Sequence, residues 1–131
     1  MNILITSAGR RVSLVKAFQK ELKSLIPNGM VMTTDFNINL SAACHVSDKA
    51  FQLPLVNDTD YLNSLLETCL NNDIKIIIPT IDTELLILAE NQNLFIKRGI
   101  TPIVSSKDFI SVCRDKRQMS SFFIDKNINV A

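Results

Sequence analysis

Ser7-Ala8-Gly9-Arg10-Arg11 follows the apolar run Ile3-Leu4-Ile5 and precedes a segment of helical period. A strand that turns through a glycine into a helix leaves free backbone N–H groups at the helix start. With the helix dipole behind them, these form a site for an anion. Gly9 permits a positive φ or a close backbone approach, and Ser7 offers a hydroxyl. Arg10 and Arg11 offer planar forks that match carboxylate or phosphate. A single glycine is not the G-x-G-x-x-G fingerprint of dinucleotide folds, so an ordinary turn with a solvated arginine pair competes with this reading.

Two further segments carry polar groups to the same region. Asp35 closes the run Met30 to Thr34, where dinucleotide folds place the acid that binds a ribose hydroxyl. It lies further from Gly9 than the usual spacing of about 20 residues. It therefore either forms a turn with Asn37 or faces a ligand that is not a dinucleotide. Pro79-Thr80-Ile81-Asp82-Thr83-Glu84 is dense in oxygen atoms. Thr80 or Asp82 is predicted to cap the helix that follows, a contribution of about 1 kcal/mol. Capping does not account for Asp82 and Glu84 together, so contact with a substrate or a neighbouring domain is expected there.

Other reactive residues offer less. His45 has no acid or nucleophile partner in its segment, and Asp115-Lys116-Arg117 alone reads as a solvated helix start. Cys44, Cys69 and Cys113 are odd in number, widely spaced and without a C-x-x-C pair. With one histidine in the chain they supply too few ligands for zinc, and they read as thiols of a reducing compartment. No catalytic residue and no metal ligand is assigned.

The elements that must position these residues follow from periodicity. Short β-branched runs alternate with helical periods, which predicts an α/β fold, a Rossmann-like three-layer sandwich with a mostly parallel sheet of about five strands. Strands are expected at about Asn2–Thr6, Met30–Thr34, Ala50–Leu53, Lys75–Ile78 and Thr101–Val104. The isoleucines of the fourth suit a strand buried on both faces. Helices are expected at about Arg10–Leu25, with Val12, Val15, Phe18, Leu22 and Leu25 inward, and briefly at Ser41–Val46. A third runs to about Asn71, capped within Asn57–Asp60, with Leu62, Leu65, Leu66, Cys69 and Leu70 inward. A single helix follows Pro79 and reaches about Lys97. Ser105 opens a capping-box-like start with Asp108 in place of glutamate, giving a helix to about Cys113 and another over Asp115–Asp125. Right-handed crossovers then bring the loops after strands one, two and four to one sheet edge, where such folds bind ligands.

Composition narrows the function classes. The 131 residues make one domain, and 47% hydrophobic with 21% charged residues is globular rather than disordered. A net charge of +1 and the absence of tryptophan argue against nucleic acid, and the longest apolar runs are far short of a membrane span. No signal-peptide pattern opens the chain, so a cytoplasmic location is expected.

Read in order, ILITSAGRRVSLVKAF, Asp35, IIIPTIDTELLILAEN and VCRDKRQMSSFF resemble the N-terminal pre-ATP-grasp domain of ATP-grasp ligases, in particular carbamoyl-phosphate synthase large-subunit-like proteins. The resemblance covers essentially the whole chain. It implies phosphorylation of a small-molecule carboxylate, or bicarbonate, by ATP and magnesium, followed by attack of an amine or similar nucleophile on the acyl phosphate. It also implies that Ser7, Gly9, Arg10 and Arg11, with Asp35, Thr80, Asp82 and Glu84, meet the substrate, and that Lys116 reaches the ATP phosphates. The ATP-clasping domain is expected after Ala131, where Ile128-Asn129-Val130-Ala131 suggests the start of a further strand. Residues 1–131 alone are then expected to be inactive, to hold ATP and magnesium weakly or not at all, and to be able to form a homodimer. The alternative is a stand-alone or split-subunit module that docks a separate ATP-grasp chain. A nicotinamide-dependent oxidoreductase ranks third, because the first turn has one glycine and no Tyr-x-x-x-Lys follows.

Overall fold

Five short runs rich in isoleucine, valine and threonine form one parallel sheet. In the computed structural model, which describes residues 1–128, the strands are β1 (Asn2–Thr6), β2 (Val31–Asp35), β3 (Lys49–Gln52), β4 (Ile74–Pro79) and β5 (Thr101–Pro102). Their order is β3-β2-β1-β4-β5, and every pairing is parallel. Among the described residues, seven α-helices connect or follow them: α1 (Val12–Leu25), α2 (Ala42–Val46), α3 (Tyr61–Asn71), α4 (Asp82–Glu90), α5 (Gln92–Ile96), α6 (Lys107–Arg114) and α7 (Lys116–Asp125), with a 3-10 turn at Ile38–Leu40 before α2. Residues 129–131, where the sequence suggests a further strand, lie outside the described residues.

The sheet separates two apolar layers. Leu4, Met32 and Ile77 point to the side covered by α3, α4 and α5, where Tyr61, Leu65, Cys69, Leu88 and Phe95 are buried. Ile3, Ile5 and Val31 point to the side covered by α1 and α2, against Val15, Leu22 and Ala43. Alternation along β1 thus fills both layers, and all five of its residues are buried. In β4, Asn2 pairs with Ile74 but Ile3 pairs with Ile76, so Lys75 is an extra residue. This bulge lets Ile74 and Ile77 face the same layer and leaves Lys75 outside, 2.8 Å from Asp73.

Several local expectations are corrected. The helix expected from Pro79 to Lys97 breaks at Asn91, whose side-chain amide donates to the Ile87 carbonyl at 2.8 Å and competes with the helical ladder. Leu25 and Leu70 were expected inward but are exposed. Ile26, one residue past the end of α1, takes the apolar contact instead of Leu25. The first helix of the C-terminal pair is capped by Ser106 rather than Ser105, its hydroxyl accepting from the Phe109 N–H. Phe109 and Phe122 then meet edge to face across α6 and α7. The fifth strand has two residues, one of them Pro102, rather than four. Among the described residues, no helix is long and apolar enough to cross a membrane.

Candidate functional site

The β1–α1 turn forms as expected, but its amides face inward. Ser7 and Gly9 both take the left-handed conformation, at φ 47° and 52°. Their curvature turns the Ala8 N–H onto the Thr34 carbonyl at 3.0 Å and the Gly9 N–H onto Asp35 Oδ2 at 2.8 Å. The Arg11 and Val12 amides bond back to Ala8 and Arg10 within the turn. On the other side, the Gly9 carbonyl accepts from the Ala43 N–H and the Ser41 hydroxyl, tying the turn to the start of α2. One anion held at this turn is the protein's own, the Asp35 carboxylate.

Glu84 lies beneath the turn, fully buried in the first turn of α4. Its Oε1 accepts the Ser7 hydroxyl at 2.6 Å and the Tyr61 phenol at 2.6 Å, and its Oε2 accepts the Thr6 hydroxyl at 2.7 Å. Burial first, then the neighbouring Glu84 carboxylate, holds the Tyr61 phenol well above its usual pKa. The geometry makes Glu84 an internal anchor for three hydroxyls, which corrects the expectation that it meets a substrate directly.

Thr80 also departs from expectation. It was predicted as a candidate helix cap, but the cap position of α4 is Ile81 and no side chain caps there. The Thr80 hydroxyl instead donates to the Thr6 and Ser7 carbonyls at 2.9 and 2.8 Å, and its own carbonyl accepts from Arg11 Nη2 at 2.6 Å. Thr80 thereby fastens the end of β4 to the β1 turn.

Above these contacts, at the carboxyl edges of β1, β2 and β4, a cleft of about 320 Å³ opens. Ser7, Gly9, Arg11, Thr34 and Asp35 are its polar lining, and Phe36, Leu53, Pro54, Leu55, Val56 and Ile81 its apolar lining, together with Tyr61. Asp82 and Lys116 do not reach it. They line a separate cleft of about 460 Å³, together with Leu85, Phe109, Cys113 and Arg114. Arg10 is exposed and lines neither. The candidate residues thus divide among a turn cleft, a buried anchor and a second cleft on the C-terminal helices.

The second cleft tests the fit of ATP and magnesium. Lys116 and Arg114 beside Asp82 give it cationic groups suited to phosphate. Among the described residues, however, no three acidic, histidine or cysteine side chains gather as a metal site. These residues fit one wall of a nucleotide site and do not fit a magnesium site.

Tyr61 and the Leu53–Val56 wall were missed in the sequence. Tyr61 sits one position before the inward stripe expected for its helix, and its signal was being the chain's one tyrosine at the start of a helix facing the sheet edge. The wall carries no polar signal at all.

Comparison with known proteins accords with this fold. The family model described as the PylC-like N-terminal domain matches residues 3–103. No curated protein matches the chain. Among solved structures, the pyruvate carboxylase of Rhizobium etli superposes with a TM-score of 0.63 at 13% identity, covering 100% of this chain and 13% of that one. The biotin carboxylase domain of Hydrogenobacter thermophilus 2-oxoglutarate carboxylase, in complex with MgADP, ADP and bicarbonate, gives 0.61 at 18%, over 94% of this chain and 27% of that one. The NAD complex of Bacillus anthracis dTDP-glucose 4,6-dehydratase gives 0.52 at 16%, over 78% and 36%. At these identities the likeness is one of fold, and the chain spans well under half of each of these proteins. The chain belongs to the PylC-like N-terminal domain family and has the fold of the pre-ATP-grasp domain of ATP-grasp enzymes.

Proposed function

We propose that this chain is the substrate-side domain of an ATP-dependent ligase that activates a carboxylate, or bicarbonate, as an acyl phosphate. The observation that carries the reading is the turn cleft. It lies at the carboxyl edge of a parallel sheet in a PylC-like N-terminal domain, where such folds hold small molecules. The cleft binds and orients part of the substrate pair, and its apolar wall excludes water from that part. Lys116 and Arg114 contribute cationic contacts to the nucleotide phosphates from the second cleft. ATP with magnesium supplies the phosphoryl group, which makes the carboxylate carbon electrophilic. The chain's own residues supply positioning only, so residues 1–131 alone do not ligate, and an ATP-grasp region in the same or a separate chain completes the enzyme. A carbamoyl-phosphate synthase-like reaction is the bicarbonate form of this chemistry.

Oxygen tracing tests it. The domain, joined to or mixed with its ATP-grasp region, is given ATP, magnesium, hydroxylamine as the displacing nucleophile, and a panel of ¹⁸O-labelled carboxylates and bicarbonate. Transfer of ¹⁸O into phosphate is the expected result. ADP formation without label transfer on every acceptor overturns acyl-phosphate chemistry.

A further inference from the structure

Three clefts lie side by side on this face of the molecule. The turn cleft shares Leu55, Val56 and Ile81 with a middle cleft of about 470 Å³. The middle cleft in turn shares Arg114 with the second cleft, which Lys116 also lines. Among the residues that line the second cleft, Arg114 alone also lines the middle one. Its side chain therefore stands at the junction between the substrate-side clefts and the cleft with cations suited to phosphate.

The neighbouring charges leave that guanidinium free. Arg114 ends α6, and the Asp115 that follows is engaged elsewhere: its Oδ1 accepts the Arg117 N–H at 2.9 Å and its Oδ2 accepts from Gln118 at 3.3 Å. Lys107 is paired with Glu90 at 2.9 Å, and Arg117 lies 3.7 Å from Asp115. Among the described residues, Arg114 and Lys116 are the two cations of α6 and α7 that are in no ion pair. Position separates their roles. Lys116 lines the second cleft and neither of the others, whereas Arg114 meets both sides of the junction. A guanidinium keeps its charge at any working pH and presents five donors in one plane, so it can hold oxygens of two anionic partners at once.

We infer that Arg114 is a catalytic residue of the phosphoryl transfer, its guanidinium bridging the terminal phosphate of the nucleotide in the second cleft and the carboxylate that approaches from the middle cleft. This deepens the function proposed above and rests on it. In the step, a carboxylate oxygen bonds to the terminal phosphorus, the bond from that phosphorus to the bridging oxygen breaks, and its electron pair leaves with ADP. No proton moves and the total charge is unchanged. Two anions must nevertheless be brought into contact, and a fixed cation shared by their two clefts offsets their repulsion and stabilises the oxygens of the group in transfer.

The test compares Arg114→Ala and Arg114→Lys in the protein acting with its ATP-grasp region. It is given ATP, magnesium, hydroxylamine and the member of the ¹⁸O-labelled panel that transfers its oxygen. Arg114→Ala is expected to lower kcat for ADP formation about a hundredfold, the scale of one lost transition-state donor, with the KM for ATP and the urea midpoint unchanged. Arg114→Lys keeps the charge without the planar fork, so it should retain part of the rate at the same KM, and it decides the case if the alanine variant fails to fold. An unchanged kcat, a raised KM for ATP with kcat intact, or a loss of kcat matched by a lower urea midpoint in both variants overturns the inference and leaves the ligase reading standing. ADP formation by the unaltered protein without label transfer from any acceptor overturns both.

Discussion

The Gly9 amide and the Asp35 carboxylate meet at 2.8 Å, joining the turn after the first strand to the end of the second. Gly9 can point its amide there because it adopts φ 52°. Added at this position, a Cβ would find ordinary contacts, 3.5 Å from Arg11 Nη1 and 3.8 Å from the Ser7 carbonyl. Space is therefore available, and the cost of Gly9→Ala is conformational. A destabilisation of about 1–2 kcal/mol is expected from the left-handed backbone, read as a lower urea midpoint with an unchanged slope. An unchanged midpoint would show that the turn relaxes freely.

Glu84 should be the least replaceable polar residue. Glu84→Ala leaves the buried Thr6 and Tyr61 hydroxyls and the half-buried Ser7 hydroxyl without their acceptor. A loss of about 3–5 kcal/mol is expected from breaking such a buried network. Tyr61→Phe removes one of the three bonds and should cost about 1–3 kcal/mol. Equal losses in the two variants, measured by urea unfolding, would contradict a shared anchor.

Alkali should destabilise the protein. Burial pushes the Cys69 thiol from 9.0 up to about 12, and burial with Glu84 raises the Tyr61 phenol further. In both cases the unfolded chain releases its proton at lower pH than the folded one. Stability from these groups is thus complete below about pH 9 and lost as pH rises towards the folded values, by about 1.4 kcal/mol per pH unit per group. Thermal melts between pH 8 and about 11 check this, and Cys69→Ala should flatten the slope by one proton.

Thiol chemistry should be selective. Cys113 is exposed, whereas Cys44 and Cys69 are buried. A chromogenic disulfide reagent should titrate Cys113 rapidly in the native protein and the other two only after denaturant. Rapid reaction of all three would place Cys44 or Cys69 nearer the surface.

Lys116 is the nucleotide-side residue. In the protein acting with its ATP-grasp region, Lys116→Ala should raise the KM for ATP or lower kcat, with little change in the urea midpoint because the side chain is exposed. Unchanged kinetics would remove Lys116 from the phosphate site.

Legibility in the sequence followed the range of the interactions. β1, the turn glycine and Asp35 at the end of β2 are local patterns, and they stand where periodicity and turn chemistry put them. The partner of Asp35 was not legible, because the same residue types that could cradle an external anion can also cradle a neighbouring strand's carboxylate. Thr80 failed as a cap for a similar reason: two carbonyls from β1 and its turn, more than seventy positions away, outcompete its own helix. Glu84 reads in sequence as an acid facing a substrate or a neighbouring domain, and only the convergence of Thr6, Ser7 and Tyr61 explains its burial. Asn91 was a local signal that a long helical period concealed.

The two outer strands differ in what they can recruit. β5 has two residues, and Pro102 offers no N–H to any newcomer, while β3 runs four residues with Lys49 and Phe51 along it. Head-to-tail stacking of sheets requires a receptive strand at both margins. Among the described residues only one margin qualifies, so any strand-to-strand pairing through these margins would stop at two molecules and would not propagate into a fibre.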